Sequence, residues 1–556
     1  MFKKNSKHLQ TDMFGMKSSM PEGLMKHAKN TEEYHFYHLI FCNIDEDIFS
    51  VLYSDKKSRP NAPVNSMVAA LILQNRKKWT YYELFKAIRF NMVVRIALGL
   101  DDISTMPFCP ATLFNFQNRL NDHFLKTGEN LLEQVFDNLT KKQLKALNIK
   151  TNIQRTDSTF AASNIRDYTR LQLLVEVLIR VYRVLSDADK KRFKARFSPY
   201  ITKTSSNYIY KLKASDIPHE LDKIAQVYMW IDQNLKPAYS ECSIFNIFDR
   251  IYHEHFTLTE QTIQVKAPKE LRSGFLQSPD DLDATYRNKG GKRSKGQTIN
   301  VTETANPDNS VNMLTDISVE PNNKDDGKIL HERLDTLKKK TPDLEELHID
   351  SAYGTADNDR KFEKHNITPV QNTMRGHLPA VPIEIEHKGE GEYIVRCPFQ
   401  EVTARKGQKR FKAEFNLAIC QQCQYADKCL TNKTKKYRAF HFTHADYLKK
   451  KRLKQIRQIP DERHNLRNNV EATINEFVCR MVRKKLKVRG AFRASVFAFS
   501  VGIAINFGRI YRYIQDNPDI PPSLLNYLVY FKERFLIIEE MMTSFLKKSF
   551  IRLNRA

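Results

Sequence analysis

The sequence predicts a mixed α/β fold with a helical amino-terminal part, on three observations. Apolar residues recur at helical spacing from Val64 onward. Short runs rich in strand-forming residues then appear around Ile153–Phe160, Ile299–Val301 and Leu347–Asp350, each bounded by polar or turn residues. Helical stretches separate these runs, the alternation expected of a sheet covered by helices. At 556 residues the chain can hold several domains without disulfides. Ninety Lys and Arg against sixty-four Asp and Glu give a formal charge of +26, which points to a polyanionic partner, nucleic acid first. A membrane surface is the weaker reading, because the basic residues are spread over many segments.

Residues 1–60 are polar and basic and read as an amino-terminal arm. They show no apolar stretch of secretory type, so a cytoplasmic location is expected. Val64, Val68, Leu71 and Ile72 mark the inner face of a helix, and Thr80-Tyr81-Tyr82-Glu83 is a capping box opening another. A helix over Met92–Leu98 closes at Gly99. Pro110 suits the first turn of the next, whose inner face is Leu113, Phe116, Leu120 and Phe124. Its other faces offer Asn115, Gln117 and Arg119, side chains able to read base edges, so residues 61–148 are expected to form a helical DNA-binding domain. A helical domain that only packs or dimerises is the alternative.

Ile153-Gln154-Arg155-Thr156-Asp157-Ser158-Thr159-Phe160 sets a carboxylate on a buried strand, where an acid needs a partner. A helical insertion at about 167–280 interrupts the sheet. A basic Gly-rich loop carrying Arg287, Lys292 and Arg293 then leads to a hairpin and a helix. Leu347-His348-Ile349-Asp350 follows as a strand ending in an acid, the place where ligand sites gather in α/β sheets. The third acid is Glu471. Val470, Ile474, Phe477 and Met481 repeat at helical spacing, and at about 100° per residue Glu471 lies about 90° from that stripe, with Arg467 and His464 on its flank. Glu476 lies on the opposite flank. Three carboxylates are suited to holding a pair of hard cations, Mg²⁺ or Mn²⁺. Glu303 and Asp316 are rival acids placed farther away by the hairpin.

Residues 377–445 are too long for a loop and form an insertion. Four of the eight cysteines, Cys397, Cys420, Cys423 and Cys429, fall there with a Cys-x2-Cys spacing suited to a structural Zn²⁺ knuckle; four unrelated thiols are the alternative. The apolar stretch from Ala494 to Gly508 is too short to cross a bilayer and reads as a buried helix.

The order Asp157, Asp350, Glu471, with Thr-Asp-Ser-Thr around the first, His-Ile-Asp-Ser-Ala-Tyr-Gly around the second and Arg-x3-Glu in a late helix, resembles bacterial insertion-sequence transposases of the DDE class. The likeness covers roughly residues 40–125 and 150–515. That family often carries Tyr and Lys where this chain has His464 and Val478. The resemblance implies a ribonuclease H-like catalytic core over 149–376, completed by core helices over 446–515 that carry Glu471, with 516–556 as a helical tail. It implies Asp157, Asp350 and Glu471 as catalytic and metal-binding residues, and Arg467 and His464 beside the DNA. It also implies binding of double-stranded terminal inverted repeats, cleavage, joining of a 3′-hydroxyl to target DNA, and a dimer in the paired-end complex of a nucleoid-associated protein. A metal-dependent nuclease and an inactive DNA-binding derivative are the alternatives.

Overall fold

The computed structural model describes residues 1–9, 15–54, 59–104, 106–201, 203–259, 262–371, 381–389, 391–464 and 466–517. The expected tail over 516–556 lies almost wholly outside them.

The central sheet is built from β1 (Ile153–Ala162), β2 (Thr285–Lys289), β3 (Lys292–Thr304), β4 (Leu314–Pro321), β5 (Glu346–His348) and β6 (Thr368–Val370). Its order is β2-β3-β1-β5-β6, with β4 also paired to β3. β1 runs antiparallel to β3 and parallel to β5. Gly290 and Gly291 turn β2 into β3 with φ +57° and +79°, the left-handed pair that a two-residue hairpin needs.

Alternation along β3 and β4 divides the two faces. Ile299, Val301 and Ile317 enter the largest hydrophobic core together with Phe136, Val470, Phe477 and Phe499. Their neighbours point the other way: Asn300 accepts from Tyr353 Oη at 2.8 Å, and buried Asp316 is paired with Arg333 and Lys340 of the helix Asp326–Lys340. Leu330, Leu334, Leu347 and Phe362 form a separate cluster there.

The helix Ala491–Asp516 is 26 residues long, well beyond the apolar stretch that marks it in the sequence. By length and composition it could cross a membrane, yet 78% of its most apolar window is buried inside the protein. Phe507 packs edge-on against Phe36, and Asn506 bonds both backbone groups of Leu314, at 2.8 and 3.0 Å, where β4 begins. Gly502 permits the close approach to the sheet: a Cβ there would lie 2.2 Å from Ile317 Cδ1.

The amino-terminal segment differs from the expected basic arm. Phe36, Leu39, Ile40, Phe41 and Phe49 are fully buried in the largest core, because the run from Tyr34 to Phe41 supplies enough apolar area to order the charged residues around it. The helices beyond it follow the sequence closely: Val64–Lys77, Tyr81–Phe90 with both capping-box hydrogen bonds, Met92–Ala97 and Pro110–Thr127.

The insertion after β1 has a core of its own around Leu174, Tyr228 and Phe248. The cysteine-bearing segment is a six-stranded antiparallel sheet running from Glu384–Gly389 to Tyr437–Phe442, closed over Tyr393, Val395, Phe415 and Phe442.

Candidate functional site

Asp157 lies in the middle of β1. Arg155 is paired with His348 in the parallel ladder, so two residues further along both chains Asp157, in mid-strand, and Asp350, just past the end of β5, come side by side. β5 itself ends at His348; Asp350 caps the short turn Ser351–Tyr353, accepting from Ser351 N at 2.7 Å. Asp157 accepts from Ser158 N at 2.7 Å and from Arg467 Nη2 at 3.1 Å. Burial pushes the Asp157 carboxyl above its ordinary range. The Ser158 N–H and Arg467 oppose that rise, while Asp350 and Asp326 reinforce it. Three carboxylates therefore share one electrostatic neighbourhood.

Asp326 is the member that sequence reasoning missed. It is buried at the start of the helix Asp326–Lys340, accepts from Ser158 Oγ at 2.9 Å and faces Arg287 Nη2 at 3.4 Å. The signal was the tandem Asp325-Asp326. Asp325 does the capping, accepting from Gly327 N at 2.9 Å, which leaves the second acid for another purpose. Tyr353 sits beneath the cluster, fully buried. Burial, then Asp157 and Asp326, hold its phenol protonated.

Glu471 is exposed on the first turn of the helix Val470–Val478, and its carboxylate makes no hydrogen bond or ion pair among the described residues. The expected continuous helix from His464 through Met481 is interrupted. Residues 466–469 form turns, and the chain turns again after Val478, so Arg467 precedes the helix that carries Glu471. The break brings Arg467 across to Asp157, while Arg155 Nη1 holds the Leu466 carbonyl at 2.7 Å. The His464 side chain lies outside the described residues. Among the described residues no group of three or more His, Cys, Asp or Glu is gathered closely enough to hold a metal ion.

The rival acids are structural. Glu303, fully buried, is held by Arg155 at 2.7 Å, Arg509 at 2.6 Å and the Thr473 hydroxyl at 2.8 Å. Glu476, on the other flank of the same helix, joins this network through Arg509 at 3.2 Å.

Of the residues expected to touch DNA, Lys292 and Arg293 are exposed beside the Gly290-Gly291 turn, whereas Arg287 faces Asp326. Asn115 is exposed. Gln117 donates to Tyr81 Oη at 3.2 Å, and the exposed Arg119 lies 4.8 Å over the Tyr53 ring. Cys397, Cys420, Cys423 and Cys429 converge on one cavity of about 20 Å³, lined also by Gln400, Phe415 and Arg438.

Comparison with known proteins gives two family matches. A transposase DDE domain matches residues 394–511, spanning much of the cysteine-bearing sheet and the helices through Glu471, and a transposase domain (DUF772) matches residues 26–119. The second match begins inside the segment that folds into the core, well before Val64. No curated protein and no solved structure matches the chain. The two matched domains support a bacterial insertion-sequence transposase of the DDE class.

Proposed function

We propose that the protein binds the inverted-repeat ends of its element, cleaves a phosphodiester bond there and joins the freed 3′-hydroxyl to target DNA. The observation that carries this is the pair Asp157 and Asp350, brought together where β5 ends beside the middle of β1, with Arg467 drawn onto Asp157. A hairpin, a covered mixed sheet and a late acidic helix across β1 suit a ribonuclease H-like core.

Asp157 and Asp350 fit divalent cations by chemistry: both are hard oxygen donors, and burial together with the nearby Asp350 and Asp326 disfavours the bare charge of Asp157. Glu471 is the third ligand in this reading, its carboxylate exposed on the first turn of the helix Val470–Val478 that packs across β1. Two bound Mg²⁺ or Mn²⁺ ions would supply an activated nucleophile and a stabilised leaving oxygen. The chain's own residues orient the reacting groups: the Ser158 N–H and Arg467 fix the Asp157 carboxylate, and Ser158 Oγ ties it to the Asp326 helix. Arg467, beside the acids, is placed to meet a phosphate once the cations neutralise Asp157.

The test is incubation of purified protein with an end-containing duplex and a target plasmid in Mg²⁺ or Mn²⁺. Joined product is expected. Cleavage without joining would leave a nuclease, and binding without either would leave an inactive DNA-binding protein. A dimer on paired ends and a cytoplasmic, nucleoid-associated location belong to the same reading.

Recognition is assigned to the helix Pro110–Thr127. Removing residues 1–125 would strip Phe36, Phe116 and Leu120 from the largest core, so point changes are the informative experiment. Asn115→Ala and Arg119→Ala together are expected to reduce the preference for end over scrambled duplex by about 10-fold or more, with general binding kept by the phosphate contacts. Competition binding at fixed salt reads this. An unchanged preference would move recognition to another face.

A further inference from the structure

Cys397 ends the strand Glu392–Cys397, Cys420 lies on the short helix Leu417–Gln421, and Cys423 and Cys429 flank the turn Ala426–Lys428. Separate local structures therefore bring four cysteines to the lining of one small space of about 20 Å³; they are not gathered at ligand distances in this structure, and binding would draw the sulfurs together. Hydrogen-bonding groups already reach three of the four sulfurs. Gln400 Nε2 donates to Cys420 Sγ at 3.3 Å, Tyr425 N donates to Cys423 Sγ at 3.4 Å, and the Thr431 hydroxyl lies 3.2 Å from Cys429 Sγ. Arg438 lines the same cavity. It anchors its Nη1 on the Ala426 carbonyl at 2.9 Å, while its buried Nε has no partner. Four ordinary thiols need neither a ring of sulfur-directed donors nor a guanidinium, whereas four thiolates on a dication carry a net charge of about −2 and need both.

We propose that Cys397, Cys420, Cys423 and Cys429 bind one zinc ion as thiolates, with Arg438 as the counter-charge and Gln400, Tyr425 and Thr431 as the outer hydrogen-bonding shell. Each thiol yields its proton to solvent as its sulfur bonds the metal; no electron is transferred and no oxidant is needed. The centre is structural. It pins the irregular chain from Leu417 to Thr431 against the strands Gln400–Lys406 and Tyr437–Phe442, where no other large apolar anchor is buried. The inference stands apart from the transposase reading, since it concerns the cysteine-bearing sheet and none of the three acids.

The test is elemental analysis of full-length protein purified in reductant without chelator, with cobalt substitution as a second readout. About one zinc per chain is expected, along with the thiolate-to-cobalt charge-transfer and tetrahedral bands after exchange. Cys420→Ser with Cys423→Ser should lose both signals, and Cys242→Ser, in the separate helical insertion, should keep both. Arg438→Gln should weaken zinc retention against a competing chelator by about 10- to 100-fold. Should the double serine variant misfold, the Arg438→Gln competition and the wild-type cobalt spectrum still decide. Wild-type protein with neither zinc nor a tetrahedral cobalt spectrum overturns the proposal. So does zinc content unchanged in a folded double variant, or a Cys420–Cys423 disulfide in place of metal.

Discussion

Asp157→Asn is expected to lower DNA cleavage by on the order of 10³-fold or more while leaving end binding nearly intact, since several kcal/mol of transition-state stabilisation pass through the cations this carboxylate would hold. Asn keeps the shape and the contact with Ser158 N but loses the charge that draws Arg467. Asp350→Asn should match it, because the two acids leave adjacent strands in register. Glu471→Gln should be equally severe. Asp326→Asn should be milder, about 10-fold, because its carboxylate is already engaged by Ser158 and Arg287 and acts on Asp157 at one remove. Single-turnover cleavage of a labelled end, beside binding of the same duplex, separates the cases. If Asp326→Asn is as damaging as Asp157→Asn while Glu471→Gln is silent, the third ligand is Asp326 and the assignment of Glu471 fails.

The contrast between Asp326 and Glu471 shows what could be read in the sequence. The placement of Asp157 and Asp350 on neighbouring strands is legible because strand alternation and a strand end fix where a side chain emerges, and both signals are local. Helical periodicity from His464 to Met481 points to Glu471, but it does not report the turn after Val478 or the turns at 466–469, where Arg155 holds the Leu466 carbonyl from another part of the chain. Asp326 looked like one of two capping acids, and only the packing of its helix against β1 separates their roles. The folding of residues 15–54 was missed for a related reason. Charge density suggested an arm, while the aromatic run at 34–41 finds its partner, Phe507, at the far end of the sequence. The cysteine cluster was legible as spacing, but its ring of donors was not, since Gln400 and Arg438 come from other strands.

Glu303→Gln or Arg509→Met should each destabilise the fold by about 3–5 kcal/mol, the cost of leaving one member of a buried ion pair uncompensated. Burial raises the Glu303 carboxyl, but Arg509 and Arg155 outweigh it and hold the group below its ordinary value of 4.5. A depressed carboxyl binds fewer protons in the folded state than in the unfolded one. Its stabilisation is therefore present above that ordinary value and is lost as pH falls through the lowered one. Melting followed between about pH 3 and 7 should show the wild type losing stability steeply at the acid end and Glu303→Gln starting lower with a flatter acid limb. A variant that melts like the wild type would mean the network is no firmer than a surface pair. Arg509→Met should leave isolated zinc content unchanged, since the cysteine sheet has its own core.

The helix Ala491–Asp516 also sets when the molecule can come into being during synthesis. The ribosome delivers Phe36 and Phe136 hundreds of residues before it delivers Phe499 and Phe507, which complete the same core. At about 5–20 residues per second that interval is tens of seconds, during which the amino-terminal helices hold an open apolar groove. A chain released early, by a nonsense codon or a frameshift anywhere upstream of residue 491, would lack the strut that joins its amino-terminal helices to its sheet. Such fragments should be cleared or aggregate.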